Sequence, residues 1–302
     1  MAALAALVLV LVLTRLGSGN GAVVGPGRVQ PATSGGTGAP PPPPRGALVL
    51  ATEAGSRAVA LAVVPGSRPR LTATVLGSSG DGLSGLPLSF RLGPGGPSLA
   101  ARPCGPGCYV ADAPGSPHPR RVEVLLPGGP VVFRLPASTQ PGAAIVARSA
   151  RAIRRLRSLV YFESLRSGPT GGVRTIWRIA APDRLTYQID HGASAVVIGQ
   201  RRWDRLSPGA RWARSQQDPP LRLPQPAWGD LAVDAHVLGR GRVDGRPVWV
   251  VSFANPGIPA WFTVWIDRRS YRPLRLRMTA AAHFMYHRYE SFDRPLAIRP
   301  PR

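Results

Sequence analysis

Lysine is absent from this 302-residue chain, and 15 acidic residues stand against 38 arginines, which gives a net charge of +23. With so few carboxylates, the chain offers few candidates for a pair of carboxylates that would catalyse hydrolysis. Abundant Ala, Gly, Pro and Arg without Lys is typical of a very GC-rich genome, which explains the charge by composition. The alternative is a surface for phosphates or anionic lipid headgroups. No known nucleic-acid-binding motif accompanies the arginines, so we expect no nucleic-acid partner.

Catalytic motifs are also absent from the sequence. It contains no GxSxG nucleophile elbow, no HExxH metal motif, no P-loop and no Rossmann glycine pattern. Asp190 and Asp234 stand close to His191 and His236 along the chain, but no nucleophile accompanies either pair. We therefore expect a protein that is not an enzyme.

Tryptophan is missing from the first 176 residues, and all seven tryptophans lie between Trp177 and Trp265. Proline and glycine, 35 of each in the whole chain, concentrate instead in the first half. A chain of this length accommodates two ordinary domains. The sequence therefore predicts two modules of different kinds, and we expect the second module to hold the larger core.

Residues 1–13 form an unbroken apolar run. As a helix it would extend about 20 Å, less than the roughly 30 Å of a bilayer's hydrocarbon core, and it lacks the positive start of a secretory signal. Two interpretations remain open: an atypical export signal, or the end of a transmembrane helix that starts upstream of Met1. Either makes residues 1–16 a membrane or signal segment and places the bulk of the chain outside the cytoplasm, at the cell membrane.

Residues 17–45 form a linker rich in proline and glycine that ends in five consecutive prolines, Pro40 to Pro44. Such a run favours extended polyproline II, which behaves as a semi-rigid spacer. We expect the linker to hold the folded modules away from the membrane.

Short apolar runs separated by turn signals fill residues 46–136. Their spacing of roughly 8–12 residues, without a helical period, predicts a small β-sandwich. Leu71, Ala73 and Val75 alternate with threonines, as in a half-buried strand. The seven runs are 47–51, 59–64, 71–76, 86–92, 109–111, 122–126 and 131–135.

Cysteine is nearly absent, and the two cysteines, Cys104 and Cys108, frame a Gly-Pro-Gly turn. Such a reversal can bring two Cα atoms within the roughly 4.4–6.8 Å that a disulfide requires. In an exported protein this favours a local disulfide. The alternative is a pair of metal-binding thiols, although the spacing is not that of a CxxC motif.

Five short pieces of the first module carry a family resemblance: 65–66 (PG), 71–75 (LTATV), 85–90 (GLPLSF), 107–109 (GCY) and 132–136 (VFRLP). They resemble the immunoglobulin-like module that follows the membrane part of some actinobacterial copper resistance proteins of the CopC/CopD type. The resemblance implies an immunoglobulin-like sandwich, copper handling at the cell envelope and a copper-transport membrane protein as partner. The chain lacks the multi-helix membrane domain and the His-rich copper module of that family, so copper transport itself is not implied.

Residues 140–298 predict a helix followed by an antiparallel meander. An Asp-Gly pair at 244–245 is a strong hairpin signal. This order favours an α+β domain in which a curved sheet wraps the helix. The apolar helix face comprises Ile145, Ile153, Leu156, Leu159 and Val160. The extended segments are 174–179, 184–190, 195–198, 203–206, 243, 247–253, 261–267 and 274–292.

A second resemblance rests on the pieces 156–159 (LRSL), 182–187 (PDRLTY), 199–203 (GQRRW), 212 (W), 265–267 (WID) and 273–275 (PLR). They resemble the LolA/LppX-like lipoprotein-carrier fold, a half-barrel with a helix in its mouth. The resemblance implies a concave apolar pocket for acyl chains, and hence a lipid as partner. Candidate pocket residues are Trp177, Trp203, Trp249, Trp261 and Trp265. The alternative is that these tryptophans only fill the core.

Residues 274–289 predict one long strand. Its period of two places His283, Met285 and His287 on one face, with about 7 Å between successive alternate residues. Two imidazoles and a thioether suit copper, so these residues form a candidate metal site. Nearby arginines oppose cation binding, and the alternative is a row of histidines without a metal.

The sequence thus predicts a mainly β protein, with an immunoglobulin-like β-sandwich followed by a LolA-like curved antiparallel half-barrel and its helix. The leading functional hypothesis is a membrane-tethered, extracytoplasmic, non-enzymatic binding module associated with copper handling. The first alternative is a carrier or sensor of a lipid or other apolar ligand in the half-barrel cavity. The second is a purely structural interaction module.

Overall fold

The computed structural model of the chain describes residues 38–114, 119–225, 228–229 and 231–302. The apolar segment at residues 1–16 lies outside the described residues. Within the described ranges, no helix combines the length and the apolar character that a membrane span requires.

The described end of the linker, from Gly38 onward, contacts the first module. The carbonyl oxygen of Gly38 accepts a hydrogen bond from the backbone N–H of Gly82 at 3.1 Å. The ring of Pro41 lies beside Gly105, where an added Cβ would come within 3.1 Å of it. This part of the proline run therefore lies against the folded module.

The first module consists of a five-stranded antiparallel sheet in the order β1-β2-β3-β7-β6 and a four-stranded antiparallel sheet in the order β5-β4-β8-β9. The two sheets enclose one apolar core, to which Leu61, Val75, Phe90 and Val124 contribute fully buried side chains. The strands are β1 (Leu48–Ala54), β2 (Arg57–Val64), β3 (Arg70–Leu76), β4 (Ser89–Leu92), β5 (Ser98–Ala100), β6 (Arg102–Gly105), β7 (Cys108–Asp112), β8 (Arg121–Leu126) and β9 (Gly129–Arg134).

Each of the seven apolar runs expected in this module contains or overlaps a strand. The strands that the sequence pattern missed are β5 and β6, which form the outer edge of their sheets and are largely exposed. An edge strand with few buried side chains carries no apolar signal, which explains why the pattern did not reveal them. The immunoglobulin-like assignment of the module stays a prediction.

The disulfide expected between Cys104 and Cys108 is present, with the two Cα atoms 5.0 Å apart. It closes the turn between β6 and β7. Gly107 has a φ of +61°, and a Cβ there would lie 2.5 Å from the Cα of Gly82. Glycine is therefore required at this turn, both for the left-handed backbone and for the close approach of the neighbouring loop.

The second module is one twelve-stranded antiparallel sheet in the order β10-β17-β18-β19-β20-β21-β11-β12-β13-β14-β15-β16, with the helix α1 (Ala143–Arg154) on one face. Its strands are β10 (Gln140–Pro141), β11 (Ser158–Arg166), β12 (Val173–Ala180), β13 (Arg184–Ile189), β14 (Ser194–Ile198), β15 (Arg201–Arg205), β16 (Ala213–Gln216), β17 (Val233–Val243), β18 (Arg246–Asn255), β19 (Ala260–Asp267), β20 (Pro273–Ala280) and β21 (His283–Phe292).

The twelve-stranded sheet is strongly curved. Val251 on β18 and Val197 on β14 belong to one apolar cluster, although seven strand spacings separate their strands in the sheet order. In a flat sheet that separation would be about 34 Å, at roughly 4.8 Å per strand. The sheet must therefore bend around the cluster, and this curved sheet with its helix matches the architecture expected from the sequence.

The helix α1 covers part of the concave face through Val146, Ser149, Ala150 and Ile153, which are buried. The prediction of a helix face that includes Leu156, Leu159 and Val160 was wrong, because the helix ends at Arg154. Leu156 follows the helix, and the other two residues lie on β11. The segment from Val160 to Phe162 is β-branched and aromatic, a composition that favours a strand once it pairs with neighbours on both sides.

The single long strand predicted over 274–289 was also wrong. Residues Ala281 and Ala282 form a two-residue turn, and Ala280 pairs with His283 to close a hairpin between β20 and β21. Ala282 has a φ of +52°. Since alanine rarely adopts this conformation and no Gly, Asn or Asp marks the turn, the sequence carried no hairpin signal.

The two modules meet through an apolar interface on the convex face of the twelve-stranded sheet. Small side chains of the sandwich, including Ala58, Ala60 and Ala62 of β2, pack against Trp261 and Phe284. The other side of the same strand, at Val59, Leu61 and Val63, faces the sandwich core. The strand β2 is therefore covered on both faces, which explains its almost unbroken run of apolar residues.

Polar contacts supplement this interface. The guanidinium of Arg166 forms an ion pair with the carboxylate of Glu53. Arg277 donates a hydrogen bond to the carbonyl of Ala51 at 2.7 Å, and the N–H of Gly46 donates one to Asp234 at 2.6 Å. Burial lowers the pKa of the Arg277 guanidinium, and the negative charge of Glu53 partly offsets this shift by raising the pKa.

We expect the double variant Cys104→Ser/Cys108→Ser to lose about 2 kcal/mol of unfolding free energy, because the five-residue loop gains chain entropy when the unfolded state is no longer cross-linked. Guanidinium unfolding of the oxidised parent and the variant measures the difference. The reduced parent is the matched control and should unfold like the variant. Equal midpoints for the oxidised parent and the variant would contradict a stabilising disulfide.

Candidate functional site

A cavity of about 550 Å³ lies on the concave side of the twelve-stranded sheet and is partly open to solvent. This volume falls within the range of about 300–1,000 Å³ that is usual for small-molecule sites. Most of its lining is apolar or aromatic. The apolar and aromatic residues that line it from the sheet and the helix are Ile153, Leu159, Tyr161, Trp177, Ile179, Leu185, Tyr187, Val197, Ala260, Phe262, Leu276, Met278, Ala280, Met285 and Tyr289.

The cavity exists because the helix covers only part of the concave face. Twelve residues of α1 extend about 18 Å, and Ile153 is the helix residue that reaches the cavity wall. Strands β12, β13 and β14 direct Trp177, Leu185 and Val197, respectively, into the cavity. The side chains on the rest of the concave surface border open space instead of packing into a filled core.

A proline-rich loop, residues 217–225, forms another wall of the cavity. It is fixed to the ends of two strand hairpins, since the N–H of Leu221 donates to the carbonyl of Gly199 (3.1 Å) and the N–H of Leu223 to that of Pro182 (2.7 Å). The side chains of Arg222 and Gln225 are exposed, whereas the inner lining is buried. The loop therefore marks the mouth of the cavity.

The sandwich module also contributes to the cavity rim. Leu76 at the end of β3 and Gly80 in the following loop line the cavity beside Ala281 of the β20–β21 turn. A Cβ added at Gly80 would lie 3.8 Å from that of Ala281. The cavity thus has walls from both modules, and their docking defines its outline.

The inner wall carries a buried pair of ionisable side chains. The Nε2 atom of His287 on β21 lies 2.8 Å from the Oε2 atom of Glu163 on β11, and the two side chains are 12% and 3% exposed. The ring of Tyr161 lies 4.9 Å from that of His287 and 5.9 Å from that of Trp177. Aromatic rings therefore surround the pair on the cavity side of the sheet.

Three polar atoms at this inner wall are buried without a hydrogen-bond partner among the described residues. They are Oε1 of Glu163, Nδ1 of His287 and Nε1 of Trp177. All three side chains line the cavity. None of the three atoms has appreciable accessible surface toward the cavity, so each is an uncompensated buried polar group that costs about 1–3 kcal/mol.

Burial also shifts the pKa of two tyrosines of the inner wall. Desolvation, followed by the charge of Glu163, raises the pKa of the Tyr161 phenol well above its ordinary value. Desolvation raises the pKa of Tyr289 as well, with a partly opposing hydrogen bond from Trp228. Both phenols stay protonated in the folded protein at alkaline pH, where they would ionise in an unfolded chain.

His283, Met285 and His287, the candidate metal residues, all line the cavity. The three residues share one face of β21, as expected, because the hairpin turn lies before His283 and does not interrupt the alternation of side chains. His283 and His287 are each engaged by a neighbour: Nδ1 of His283 lies 3.1 Å from the carbonyl of Ala281, and Nε2 of His287 contacts Glu163. Within the described residues, no group of three or more His, Cys, Asp or Glu side chains could hold a metal.

Of the five tryptophans proposed for the pocket, Trp177 lines the cavity. Trp261 faces the opposite side of the sheet and fills the interface with the sandwich, while its neighbour Phe262 points inward. Trp265 packs beside a separate small cluster that contains Val248. Strand parity, which the residue type does not reveal, decides the face on which each tryptophan lies.

The two other proposed tryptophans also lie away from the cavity. Trp249 packs against Tyr271 with the two rings tilted and their centroids 5.2 Å apart, and Trp203 lies beneath the guanidinium of Arg201 at 5.9 Å. A tryptophan that the sequence reasoning did not propose, Trp228, does line the cavity. It lies in the segment between β16 and β17, where no periodic pattern could have indicated it.

A comparison with protein-family models finds no match, and a comparison with curated proteins finds none either. Solved structures similar to this chain include LprF from Mycobacterium bovis, with 12% identity and a TM-score of 0.39 over 53% of this chain and 96% of that one. The lipoprotein LppX from Mycobacterium tuberculosis has 14% identity and a TM-score of 0.42 over 52% of this chain and 97% of that one. A LolA superfamily protein from Nitrosomonas europaea has 11% identity and a TM-score of 0.27 over 52% and 96%.

These structures include LppX and a LolA superfamily protein, the two names of the fold that was expected for the second module. At identities and TM-scores this low, the likeness carries no functional argument. The resemblance of the first module to copper resistance proteins finds no support in the comparisons and stays a prediction.

We expect the unfolding free energy to fall as the pH rises above about 10, the ordinary pKa of tyrosine. The unfolded chain then releases the protons of Tyr161 and Tyr289, while the folded chain retains them, so each contributes a loss of up to about 1.4 kcal/mol per pH unit. Denaturant unfolding between pH 9 and about 11 measures this slope. The variant Tyr161→Phe/Tyr289→Phe should flatten it.

The matched control is Tyr286→Phe, which removes an exposed phenol from the same strand as Tyr289. It should keep the slope of the parent protein. A parent slope unchanged by the double variant would show that the two buried phenols are not the source of the alkaline loss.

Proposed function

We propose that this protein is a non-enzymatic carrier or sensor that binds a lipid or another apolar ligand in the concave cavity of its second module. The observation that carries the proposal is the cavity itself, which has about 550 Å³ of space and a mainly apolar lining behind a loop-bounded mouth. A hydrocarbon chain that enters such a space leaves water and gains about 0.8 kcal/mol for each buried methylene group.

The rival hypothesis of a purely structural module has less support. A core built only for stability packs to near-crystalline density and leaves few voids larger than a water molecule. Here Trp177, Leu276 and Phe262 border open space instead of closing it. An apolar surface of this kind costs stability while it is empty, and a ligand removes that cost.

The setting that we propose is extracytoplasmic, at the cell envelope. The disulfide between Cys104 and Cys108 supports it, because such bonds persist in oxidising compartments and are rare in the cytosol. We further propose that residues 1–16 attach the chain to the membrane and that the modules span residues 46–136 and 140–298. In this arrangement the sandwich presents the half-barrel and completes its rim.

Copper handling, the leading hypothesis from the sequence, has weaker support than the apolar ligand. His287 already contacts Glu163, and His283 contacts a backbone carbonyl. Copper binding by His283, Met285 and His287, and a copper-transport partner, stay predictions. Elemental analysis of the copper-loaded protein, with His283→Ala/His287→Ala as the comparison, is the measurement that decides them.

The uncharged fluorophore N-phenylnaphthylamine tests the proposed function. We expect saturable binding at one site, with the fluorescence increase of a probe that leaves water. Ala280→Trp places an indole at the inner wall, where Ala280 is buried. The indole should take up space that the ligand would otherwise fill. Losing the burial of two methylene groups of the ligand should weaken binding about tenfold.

The matched control is Ala213→Trp, the same substitution on the exposed edge strand β16 and outside the cavity. It should bind the probe like the parent. Absence of saturable binding by the folded parent protein, or equal loss in both variants, would contradict a ligand site in this cavity.

A further inference from the structure

The last two strands of the twelve-stranded sheet form a strongly basic hairpin. Residues 201–216, which comprise β15, its turn and β16, contain five arginines and a single carboxylate, that of Asp204. Arg202 binds this carboxylate through two contacts of 2.7 Å. The other four arginines form no ion pair within the described part of the chain; they are Arg201, Arg205, Arg211 and Arg214. We call residues 201–216 the arginine hairpin.

The unpaired guanidinium groups lie on the convex side of the sheet. Arg202 lines the cavity, so its strand neighbours Arg201, Trp203 and Arg205 point to the opposite face. Arg214 on β16 is paired with Trp203 and therefore shares that face. The sandwich contacts the other half of the sheet, through β17 to β20. It leaves this face open, and Arg201 and Arg214 are exposed.

Cations and aromatic rings alternate on the open face. The guanidinium of Arg201 lies 5.9 Å from the ring centre of Trp203, and that of Arg205 lies 4.8 Å from the ring centre of Trp212. Both indoles are half-buried. Leu206, in the turn, is 77% exposed, the highest value among the large apolar side chains of the described residues. Arginines, amphipathic rings and a protruding leucine together are typical of a segment that lies in a membrane interface.

We propose that the arginine hairpin docks on an anionic lipid surface. Its guanidinium groups bind headgroup phosphates, for which their planar fork is suited. Trp203 and Trp212 lie at the headgroup level, because an indole combines an apolar ring with a polar N–H. Leu206 enters the acyl boundary and leaves water.

The composition of the hairpin disfavours two other partners. The strand β16 is an open edge of the sheet, but pairing with a second copy would bring the charge of Arg214 close to a like charge. A nucleic acid would neutralise the arginines through its phosphates and would leave Leu206 in water. A bilayer serves both kinds of group, since it has phosphates at its surface and hydrocarbon beneath them.

Docking through the hairpin brings the mouth of the cavity close to the lipid. The N–H of Gln217 donates to the carbonyl of Gln200 at 2.8 Å, which joins the base of the hairpin to the mouth loop. Arg202 and Gln217 both line the cavity. The five residues of β15 extend about 17 Å, so the mouth lies roughly that far from the docked turn. Exchange of a ligand with the bilayer rests on the proposed function, whereas the docking itself does not.

The first test is cosedimentation of the full chain with vesicles of phosphatidylcholine, and with vesicles of equal parts phosphatidylcholine and phosphatidylglycerol. Arg201→Gln/Arg214→Gln should lower the ratio of anionic to neutral partition coefficients at least about tenfold, because each arginine near an anionic surface contributes about fivefold. The matched control Arg68→Gln/Arg134→Gln removes the same charge from exposed positions of the sandwich and should keep the parent ratio. Attachment through the N-terminal apolar segment is independent of lipid charge and cancels in this ratio.

Tryptophan quenching locates the contact. Lipids brominated on their acyl chains quench the emission of an indole that they touch, so anionic vesicles of such lipids should quench the parent. Trp203→Phe/Trp212→Phe should remove most of this quenching. The control Trp249→Phe/Trp265→Phe removes two half-buried indoles from β18 and β19, at the other end of the sheet, and should retain it. Leu206→Ser should weaken partition into the anionic vesicles about tenfold, because it removes the apolar tip.

Three results would overturn the docking surface: equal partition of the parent into both kinds of vesicle, equal loss in the two arginine variants, or quenching that persists without Trp203 and Trp212. Retention on a single-stranded DNA oligonucleotide without a preference for anionic vesicles would also overturn it, in favour of a nucleic acid. The cavity variant Ala280→Trp separates this proposal from the proposed function, since it should bind vesicles like the parent. A parent that prefers anionic vesicles but does not bind N-phenylnaphthylamine would refute the cavity site alone.

Discussion

The covering of both faces of the twelve-stranded sheet is the constraint on which the rest of the structure depends. Strands β18 and β19 are apolar on both sides, as Trp261 and Phe262 show by pointing in opposite directions from adjacent positions. The sandwich covers the convex side of these strands through small side chains, and α1 covers part of the concave side. The helix has only twelve residues and the curved sheet is wide, so the helix leaves part of the concave face uncovered. The cavity lies over this uncovered part.

The docking of the modules therefore belongs to the binding site as well as to the fold. Alanines on β2 let the sandwich approach closely, and this approach brings Leu76 and Gly80 to the cavity rim. The loop that carries Gly80 is held in turn by the disulfide hairpin, since Gly82 and Gly107 are in backbone contact. A spacer module would not need these contacts, whereas a module that shapes the entrance of a cavity does.

The strands could be predicted where an alternation of apolar and polar residues marked the two faces of the sheet. The prediction failed where the residues showed no such alternation. The alternation of His283, Met285 and His287 placed all three on the cavity wall, because the unmarked turn at Ala281 and Ala282 lies just before them. Glu163 was overlooked, since the apolar spacing that continues to Val160 also fits a helix face. The tryptophans were chosen by residue type, which says nothing about strand parity, and four of the five lie outside the cavity lining.

The pair of Glu163 and His287 is poorly explained by stability. Burying an ion-pairing carboxyl and an imidazole in an apolar wall costs desolvation that their mutual attraction rarely exceeds, and well-packed apolar residues of similar size would serve a core at least as well. The pair moreover leaves one polar atom of each side chain unmatched. A wall that is apolar almost everywhere, and carries these unmatched polar atoms at one buried place, sacrifices stability at that place. The rings of Tyr161 and Tyr289 lie around the pair and exclude water from it, which strengthens the hydrogen bond between His287 and Glu163.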